Sequence, residues 1–586
     1  MMRVSTGTRR VPAEARRSGA TRAGRTIVAV VSVGALAACS TLPHDTKPQI
    51  LQSYAPGAAK EPAVGPQPGQ EPDLLLRDFY TASALPSGDY AAARQYLTPD
   101  IADSWTPEGS VLLVDAIDII TATDSVDGDE RAYSVRGTVI GTLESGGAYL
   151  PENGAYEAEI RMKQVDGQWR IADLPAGVVI ERTELRNQYQ PDNLYFFTAL
   201  GSSLVADRRW VYTGQKSLDS ELITMLMQGP SSQLQPAVRT VVPAGAVFAG
   251  AEDGVYRFTG MSTMSEEERT QFAAELVWTL SNAGVVAPYK ATADGAPLVP
   301  GLDEMTTDDF AEYNPRDVAD AVPEFYAVNG GNIVHVTGDE VEPLSGELGT
   351  GGRVQSAEVT SSGQVAAVCS TGNQSQLVMG SVDGELSNSV SADTLSRPSF
   401  ERSTHAAWVV VDGDRIVRLV PASDSNRVIE TEVNSSALDG IKGEISVLRL
   451  SPTGVRVAMI IGGKIFTGIV VRETNGDTRI ANVREMASEL GGTALTLDWQ
   501  PDGSLVVGTS TPETPVWRVE QDGSSVSTLP AGNITAPVVS IAASQSTVYA
   551  TDANAVLQLN PQESNSTYWR EVPGLQGQRS APIVAN

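Results

Sequence analysis

A multidomain chain that passes from α+β through α/β to all-β architecture is what this sequence predicts, and three observations carry the prediction. At 586 residues the chain exceeds what one hydrophobic core organises, which calls for several domains. Its composition, 54 Gly and 34 Pro with 41% apolar residues, favours strands joined by many turns. Helical periodicity is confined to the first half, and from Phe325 onward one strand–turn–strand phrase recurs instead.

The first domain is expected over 73–185. Asp73 is placed to cap a helix whose Leu76, Phe79 and Tyr80 share one face, and a second helix is expected from Tyr90 to Leu97. Alternating strands follow at Val111 to Ile120, Ala132 to Leu143, Ala155 to Gln164 and Gln168 to Leu174, with Asp166-Gly167 as a hairpin turn. Helices followed by an antiparallel meander ending in Asp166-Gly167-Gln168-Trp169-Arg170-Ile171 resemble the NTF2-like fold, a cone that can house pockets. No cluster of acids or bases in this stretch forces a catalytic reading.

A second module, α/β, is expected over 190–320. Leu194-Tyr195-Phe196-Phe197 and Leu204-Val205 read as strands, and Leu218, Leu222 and Leu226 share a helical face that stops at Gly229-Pro230. A strand is expected at Thr240 to Val242. Ser265-Glu266-Glu267-Glu268 forms a capping box that opens a helix with Phe272, Leu276, Leu280 and Ala283 inward. With Met225-Leu226-Met227-Gln228-Gly229-Pro230, Pro243-Ala244-Gly245 and Val277-Trp278-Thr279-Leu280, the order resembles the GerMN domain. That resemblance implies a small module of exported envelope and sporulation proteins and supplies no chemistry.

The recurring phrase defines the third domain, 321–586. It reads Val359-Thr360-Ser361-Ser362-Gly363-Gln364-Val365-Ala366, then Leu450-Ser451-Pro452-Thr453-Gly454-Val455-Arg456-Val457, then Trp499-Gln500-Pro501-Asp502-Gly503-Ser504-Leu505-Val506. Degraded copies lie at Phe400 to Val411 and Ile541 to Ala550. Equivalent points at Gly363, His405, Gly454, Gly503 and Ser546 are 42, 49, 49 and 43 residues apart. A period of about 40 to 50 residues holding four strands is that of β-propeller blades. Phe325 to Val328, Asn332 to Val336 and Val341 to Leu344 make a blade lacking its first strand, which Ala581 to Val584 would supply, protecting both open edges. That count gives six blades, or five if the terminal pieces only flank the ring.

Upstream of the domains, seven arginines stand against one acid, Glu14, before an uncharged run from Thr26 to Ala38. About 13 residues are too few to span the roughly 20-residue hydrocarbon core, so residues 1–38 read as a signal peptide. Leu36-Ala37-Ala38-Cys39 resembles the lipobox of bacterial lipoproteins. The resemblance implies recognition of Leu36, Ala37 and Ala38 by the signal peptidase and a mature chain beginning at N-palmitoyl, S-diacylglycerol Cys39. An ordinary secretory cut with Cys39 incidental is the alternative, and Arg9-Arg10 and Arg16-Arg17 leave twin-arginine export open beside general secretion. Residues 39–72, rich in Pro, Gly, Gln and Ala, read as a lipid-bearing cysteine and its tether.

Charge narrows the partners. The chain is formally −29, and loss of the +6 leader takes it to −35, which repels nucleic acid and anionic headgroups and leaves membrane attachment to the lipid. With Cys39 acylated, only Cys369 remains, so no disulfide can form within the mature chain; Cys369 reads as a small buried strand residue. His44, His335 and His405 are far apart and lack metal-ligand spacing or a nucleophile elbow. Asp127-Gly128-Asp129-Glu130 and Asp412-Gly413-Asp414 fit hairpin turns better than calcium loops. Thr307-Asp308-Asp309 and Glu266 to Glu268 fit solvated helix starts. Trp408, Trp499, Trp517 and Trp569 fit core packing between blades, with a binding surface built from some of them as the alternative that sequence alone does not separate. No catalytic residue, metal or cofactor follows.

Lipobox, tether, α+β domain, GerMN-like module and propeller in that order are similar to the actinobacterial LpqB lipoprotein family. The resemblance implies a non-enzymatic envelope lipoprotein, held on the outer side of the cell membrane, that binds the extracellular domain of an MtrB-like sensor kinase and modulates an MtrAB two-component system. A second reading is a cell-wall polymer-binding protein or envelope hydrolase using a propeller cleft, which requires Asp, Glu or His side chains converging on one pocket.

Overall fold

The computed structural model describes residues 65–107, 109–122, 128–315, 322–402, 404–422, 427–473, 475–561 and 567–585. The leader, Leu36, Ala37, Ala38, Cys39, His44 and most of the tether lie outside the described residues, as does Asp127.

The N-terminal domain packs three short helices, Pro72–Ala82, Ser87–Arg94 and Pro99–Ser104, on a five-stranded sheet. Pro72 starts the first helix one residue ahead of Asp73, with Glu71 at the cap, because proline's fixed φ suits the first helical turn. Leu75, Leu76, Phe79 and Tyr80 are buried as the 3.6-residue period requires. The second helix begins before Tyr90, not at it: Gly88 and Asp89 take left-handed backbone, and Arg94 fastens the turn through Asp89 O at 2.8 Å and its carboxylate at 2.6 Å. Residues 65–71, grouped with the tether by composition, already belong to the fold. Gly69 N donates to Gln168 Oε1 at 2.9 Å and Gln70 Nε2 to Asp78 at 2.6 Å.

Strands β1 (Val111–Thr121), β2 (Glu130–Leu143), β3 (Tyr149–Val165) and β4 (Gln168–Asp173) form the expected meander. Asp166 and Gly167 both have positive φ, 52° and 73°, as a two-residue hairpin demands. A fifth strand, β5 (Val178–Glu181), is too short to announce itself by alternation and pairs in parallel with Val111–Val114.

The middle domain begins with a hairpin, Tyr189–Phe197 against Leu204–Tyr212. A helix at Leu218–Gln228 ends on Gly229 at φ 90°. The helix Glu266–Asn282 carries the reciprocal capping box: Ser265 Oγ accepts from Glu268 N at 3.2 Å, while Ser265 N donates to the Glu268 carboxylate at 2.8 Å. Phe272, Leu276 and Leu280 are fully buried, and Ala283, one residue past the helix, is half-buried. Residues 240–242 form no strand. Their place beside the hairpin is taken by an isolated bridge of Thr198 to Val238, and the sheet comes from Val247–Glu252, Val255–Thr259, Lys290–Ala293 and Ala296–Pro297. Thr307–Tyr313 is a short 3₁₀ segment in which Asp309 accepts from Thr306 N at 2.7 Å.

From Phe325 the chain forms six four-stranded sheets around one axis. Five are continuous in sequence, starting at Val354, Ser399, Ile445, Ala494 and Ser540. The sixth combines Phe325–Asn329, Asn332–Thr337 and Glu340–Pro343 with Ala581–Val584, which pairs antiparallel to Phe325–Val328 as the innermost strand. Both ends of the domain thereby lose their open edges. Trp408, Trp499 and Trp569 are buried and Trp517 is half-buried, consistent with packing between sheets.

Candidate functional site

The propeller axis brings charged side chains from several blades together. Glu358, Arg449 and Asp498 lie on the innermost strands of their blades, each five residues before its turn glycine (Gly363, Gly454 and Gly503). A shared register position turns all three towards the same centre. Arg449 is bidentate to Glu358, with Nη2 to Oε1 at 2.7 Å and Nη1 to Oε2 at 2.9 Å, and its Nε donates to Asp498 Oδ1 at 3.1 Å. Arg397, just before the innermost strand of the next blade, donates to Glu358 Oε2 at 3.1 Å and to Ile541 O at 3.0 Å. Asp498 Oδ2 accepts from Ala543 N at 3.2 Å.

The four charges sum to zero, and Glu358, Arg449 and Asp498 are each at most 8% exposed. Burial alone would push the Glu358 carboxyl up, but Arg449 and Arg397 hold it below the usual carboxylate range. A permanently ionised carboxylate gripped by two guanidiniums is poorly suited to proton transfer, which wants a group poised near the working pH. Five blades meet in this cluster, because Pro398 O accepts from Arg449 Nη1 and Ser399 Oγ accepts from Leu450 N, both at 2.9 Å.

A second buried carboxylate, Glu401, joins two neighbouring blades. It accepts from Trp408 Nε1 at 2.7 Å and Arg418 Nε at 2.8 Å and pairs with Arg472 Nη2 at 3.1 Å; burial raises its carboxyl, but Arg418, Arg472 and the Thr404 hydroxyl bring it down to about 2. This too is a packing device.

The three domains meet at a polar seam. In the middle domain, buried Arg209 pairs with Asp207 at 2.7 Å and donates to Gly146 O of the N-terminal domain at 2.7 Å. Gly147 is required there: it has φ 78°, and a Cβ would lie 2.4 Å from Trp210 O. On the propeller side, Arg456 Nη2 donates to Ala206 O at 2.7 Å, Trp210 Nε1 to Asp522 at 3.2 Å, and Asn482 Nδ2 to Gln233 O at 2.8 Å. Apolar contact backs the polar contact, since Val455, Ile469, Val471 and Ala481 of the propeller join the core of the middle domain.

The individually considered residues fall apart in space or into structural roles. His335 lies tilted against Tyr326, ring centroids 4.7 Å apart, and His405 sits at a turn with φ 53°. Cys369 is buried on the strand Gln364–Thr371, and burial raises its thiol. Asp412, at a turn with φ 50°, ties that turn to the preceding loop by accepting from Thr394 N at 2.9 Å. Position-by-position comparison of the repeats would have exposed the axial cluster: Glu358, Arg449 and Asp498 are charged at a position where Phe400 and Ile541 are apolar.

Comparison with known proteins agrees with this three-part organisation. Residues 65–186 match "Lipoprotein LpqB, N-terminal domain", residues 193–299 match "Sporulation and spore germination" (Germane), and residues 331–585 match "Lipoprotein LpqB beta-propeller domain". Similar along nearly their whole length are proteins named Lipoprotein LpqB from Corynebacterium diphtheriae, 42% identical over 96% of this chain and 99% of that one, and from Corynebacterium jeikeium, 38% identical over 95% and 97%. A third, from Mycobacterium tuberculosis, is 31% identical over 94% and 97%. On full-length identity and on all three domains, the chain belongs to the lipoprotein LpqB family.

Proposed function

We propose that the chain is a membrane-anchored, extracytoplasmic accessory lipoprotein. In this reading it binds the extracellular part of an MtrB-like sensor kinase and modulates an MtrAB two-component system, with consequences for envelope homeostasis. The anchor is lipid on Cys39; no helix among the described residues is long and apolar enough to cross a membrane. The observation that carries a binding role over a chemical one is the axis. Where a propeller enzyme or polymer-binding protein would present a cleft, Glu358, Arg397, Arg449 and Asp498 neutralise one another and tie the blades together. The outer surfaces are then what the protein offers a partner, presented as one unit by the seam at Arg209, Trp210 and Arg456.

Modulation requires that the protein bind two states of the kinase with different affinity, since a ligand indifferent to the states shifts nothing. Tethering to the same membrane raises the effective concentration of the pair. The test is titration of the soluble protein, residues 58–586, into the isolated sensor domain. Saturable binding supports the direct version, and none up to about 100 µM, where even a small transient interface of useful strength would register, sinks it. Replacing Cys39 by Ala is expected to leave folding intact and weaken signalling.

A further inference from the structure

Where the blades that start at Ser399 and Ile445 meet, two arginines share one carboxylate. Arg418 reaches buried Glu401 with Nε at 2.8 Å and Nη2 at 3.0 Å, and Arg472 lies against it with Nη2 at 3.1 Å. Two guanidiniums against one carboxylate leave a charge of +1, whereas the axial cluster sums to zero and the whole chain is formally −29. Neither arginine pairs with a second carboxylate among the described residues. Neighbouring acids are turned away or engaged elsewhere. Glu430 and Glu432 stand opposite Leu419 and Val417 in the ladder, so they point to the other sheet face from Arg418, and Glu430 binds Arg415 at 2.9 Å. Glu473, next to Arg472 in the chain, is taken by Arg479 at 2.6 Å, and Asp477 by Asn475 Nδ2 at 2.7 Å.

Arg472 is the unusual member. Its side chain is 25% exposed, no described residue accepts a hydrogen bond from it, and none of its nitrogens is sealed from solvent. Its donors are therefore available at the surface. Thr404, whose Oγ1 accepts from Arg418 Nη2 at 3.4 Å, and His405 are exposed on the turn that rims the pair. A guanidinium fork matches the oxygens of an oxyanion two at a time, and a second guanidinium beside it favours a doubly charged anion over a singly charged one. We propose that Arg472 and Arg418 form a surface site for a phosphate group, free or carried on a larger molecule, with Glu401 beneath them as the fixed counter-charge that holds both arginines. Glu401 keeps its charge at every pH at which phosphate is a dianion, because its carboxyl is held at about 2. The site stands apart from the kinase reading and does not depend on it.

Soluble protein, residues 58–586, is titrated with inorganic phosphate and with glycerol 3-phosphate at constant ionic strength, followed by phosphorus NMR. Inorganic phosphate is expected to bind saturably with a Kd on the order of 1 mM, and acetate to displace it at least about tenfold less well. A monoester that binds more tightly makes the ligand a larger phosphorylated molecule, and one that binds more weakly makes it the free anion; either supports the site. Arg472→Gln should weaken phosphate about tenfold, and Arg472→Lys, which keeps the charge and loses the fork, about threefold. Arg415→Gln, at an arginine of the same propeller already paired with Glu430, should leave binding unchanged. Circular dichroism checks that each variant is folded. The proposal is overturned if neither phosphate saturates by about 50 mM, if acetate competes as well as phosphate, if folded Arg472→Gln binds as the parent does, or if Arg415→Gln loses as much as Arg472→Gln.

Discussion

The propeller axis and the hollow of the N-terminal domain are both places where strands and helices converge around a middle that must be filled, and they are filled in opposite ways. At the axis the chain gathers four charges, three of them buried and Arg397 half-buried, and pairs every one, so that Glu358 alone takes hydrogen bonds from two arginines. Among the described residues of the N-terminal domain no charged side chain is buried, a hollow of about 150 Å³ lies between helix and sheet, and the Trp105 indole N–H has no hydrogen-bond partner. Pairing makes a centre rigid and single-valued, because any change strands a charge in a low-dielectric interior. The hollow has no charged side chain in its lining to strand.

Breaking the axis should have the largest effect. Glu358→Gln leaves Arg397 and Arg449 facing Asp498 alone, and denaturant unfolding should show a loss of about 3–5 kcal/mol; a loss below about 1 kcal/mol would show that the axis is not a structural centre. Glu401 comes next. Its carboxyl drops from an ordinary 4.5 to about 2 in the folded chain. The stability it contributes is therefore present above pH 4.5 and lost as pH falls towards 2. Glu401→Gln should cost about 3 kcal/mol near neutrality and flatten that acid limb.

Glu275 sharpens the contrast, because it is a buried carboxylate without an arginine grip. On the helix Glu266–Asn282 it accepts Phe197 N at 3.0 Å, and burial raises it to about 8 despite that bond and the charge of Arg239. The sign is opposite to that of Glu401: the stability it contributes is full below 4.5 and is lost as pH rises through 8. Glu275→Gln keeps an acceptor for Phe197 and should stabilise the protein at pH 8 by something on the order of 2 kcal/mol, with little change at pH 4. The smallest effect belongs to the hollow. Trp105→Phe should cost about 1 kcal/mol, since it removes an unpaired donor but also shrinks a buried ring that packs edge-on against Phe79 and Tyr90. A loss comparable to that of Glu358→Gln would mean that the two centres do not differ as described.

Local chemistry was legible along the chain. The blade phrase, the Asp166-Gly167 turn and the capping box at Ser265 use partners that are adjacent in sequence or repeat at a fixed period, and the closing strand Ala581–Val584, whose partner Phe325–Val328 is distant, was legible because it completes that period. Pattern and structure part where period and capping signals are weak. Residues 240–242 are apolar enough for a strand but find no ladder, and Val178–Glu181 becomes a strand only because Val111–Val114 has an open edge beside it. The Pro-rich composition around Gly65–Glu71 hid a segment that Gln168 and Asp78 hold down.

By itself, then, the sequence determined the order of domains, the period of the propeller and the family to which they point, because each rests on short-range pattern, and the strand missing from that period pointed to the pairing of the propeller's two ends. Only the tertiary structure decided what fills the centres. Arg449 meets Glu358 from 91 residues away and Arg397 reaches Ile541 across 144. The seam joins Trp210 to Asp522 over 312 residues, and the hollow exists only once the first helix lies against Tyr156 and Ile160. Such contacts leave no local pattern, since any of many charged or apolar residues would satisfy the same periodicity and only closure of the fold selects the partner.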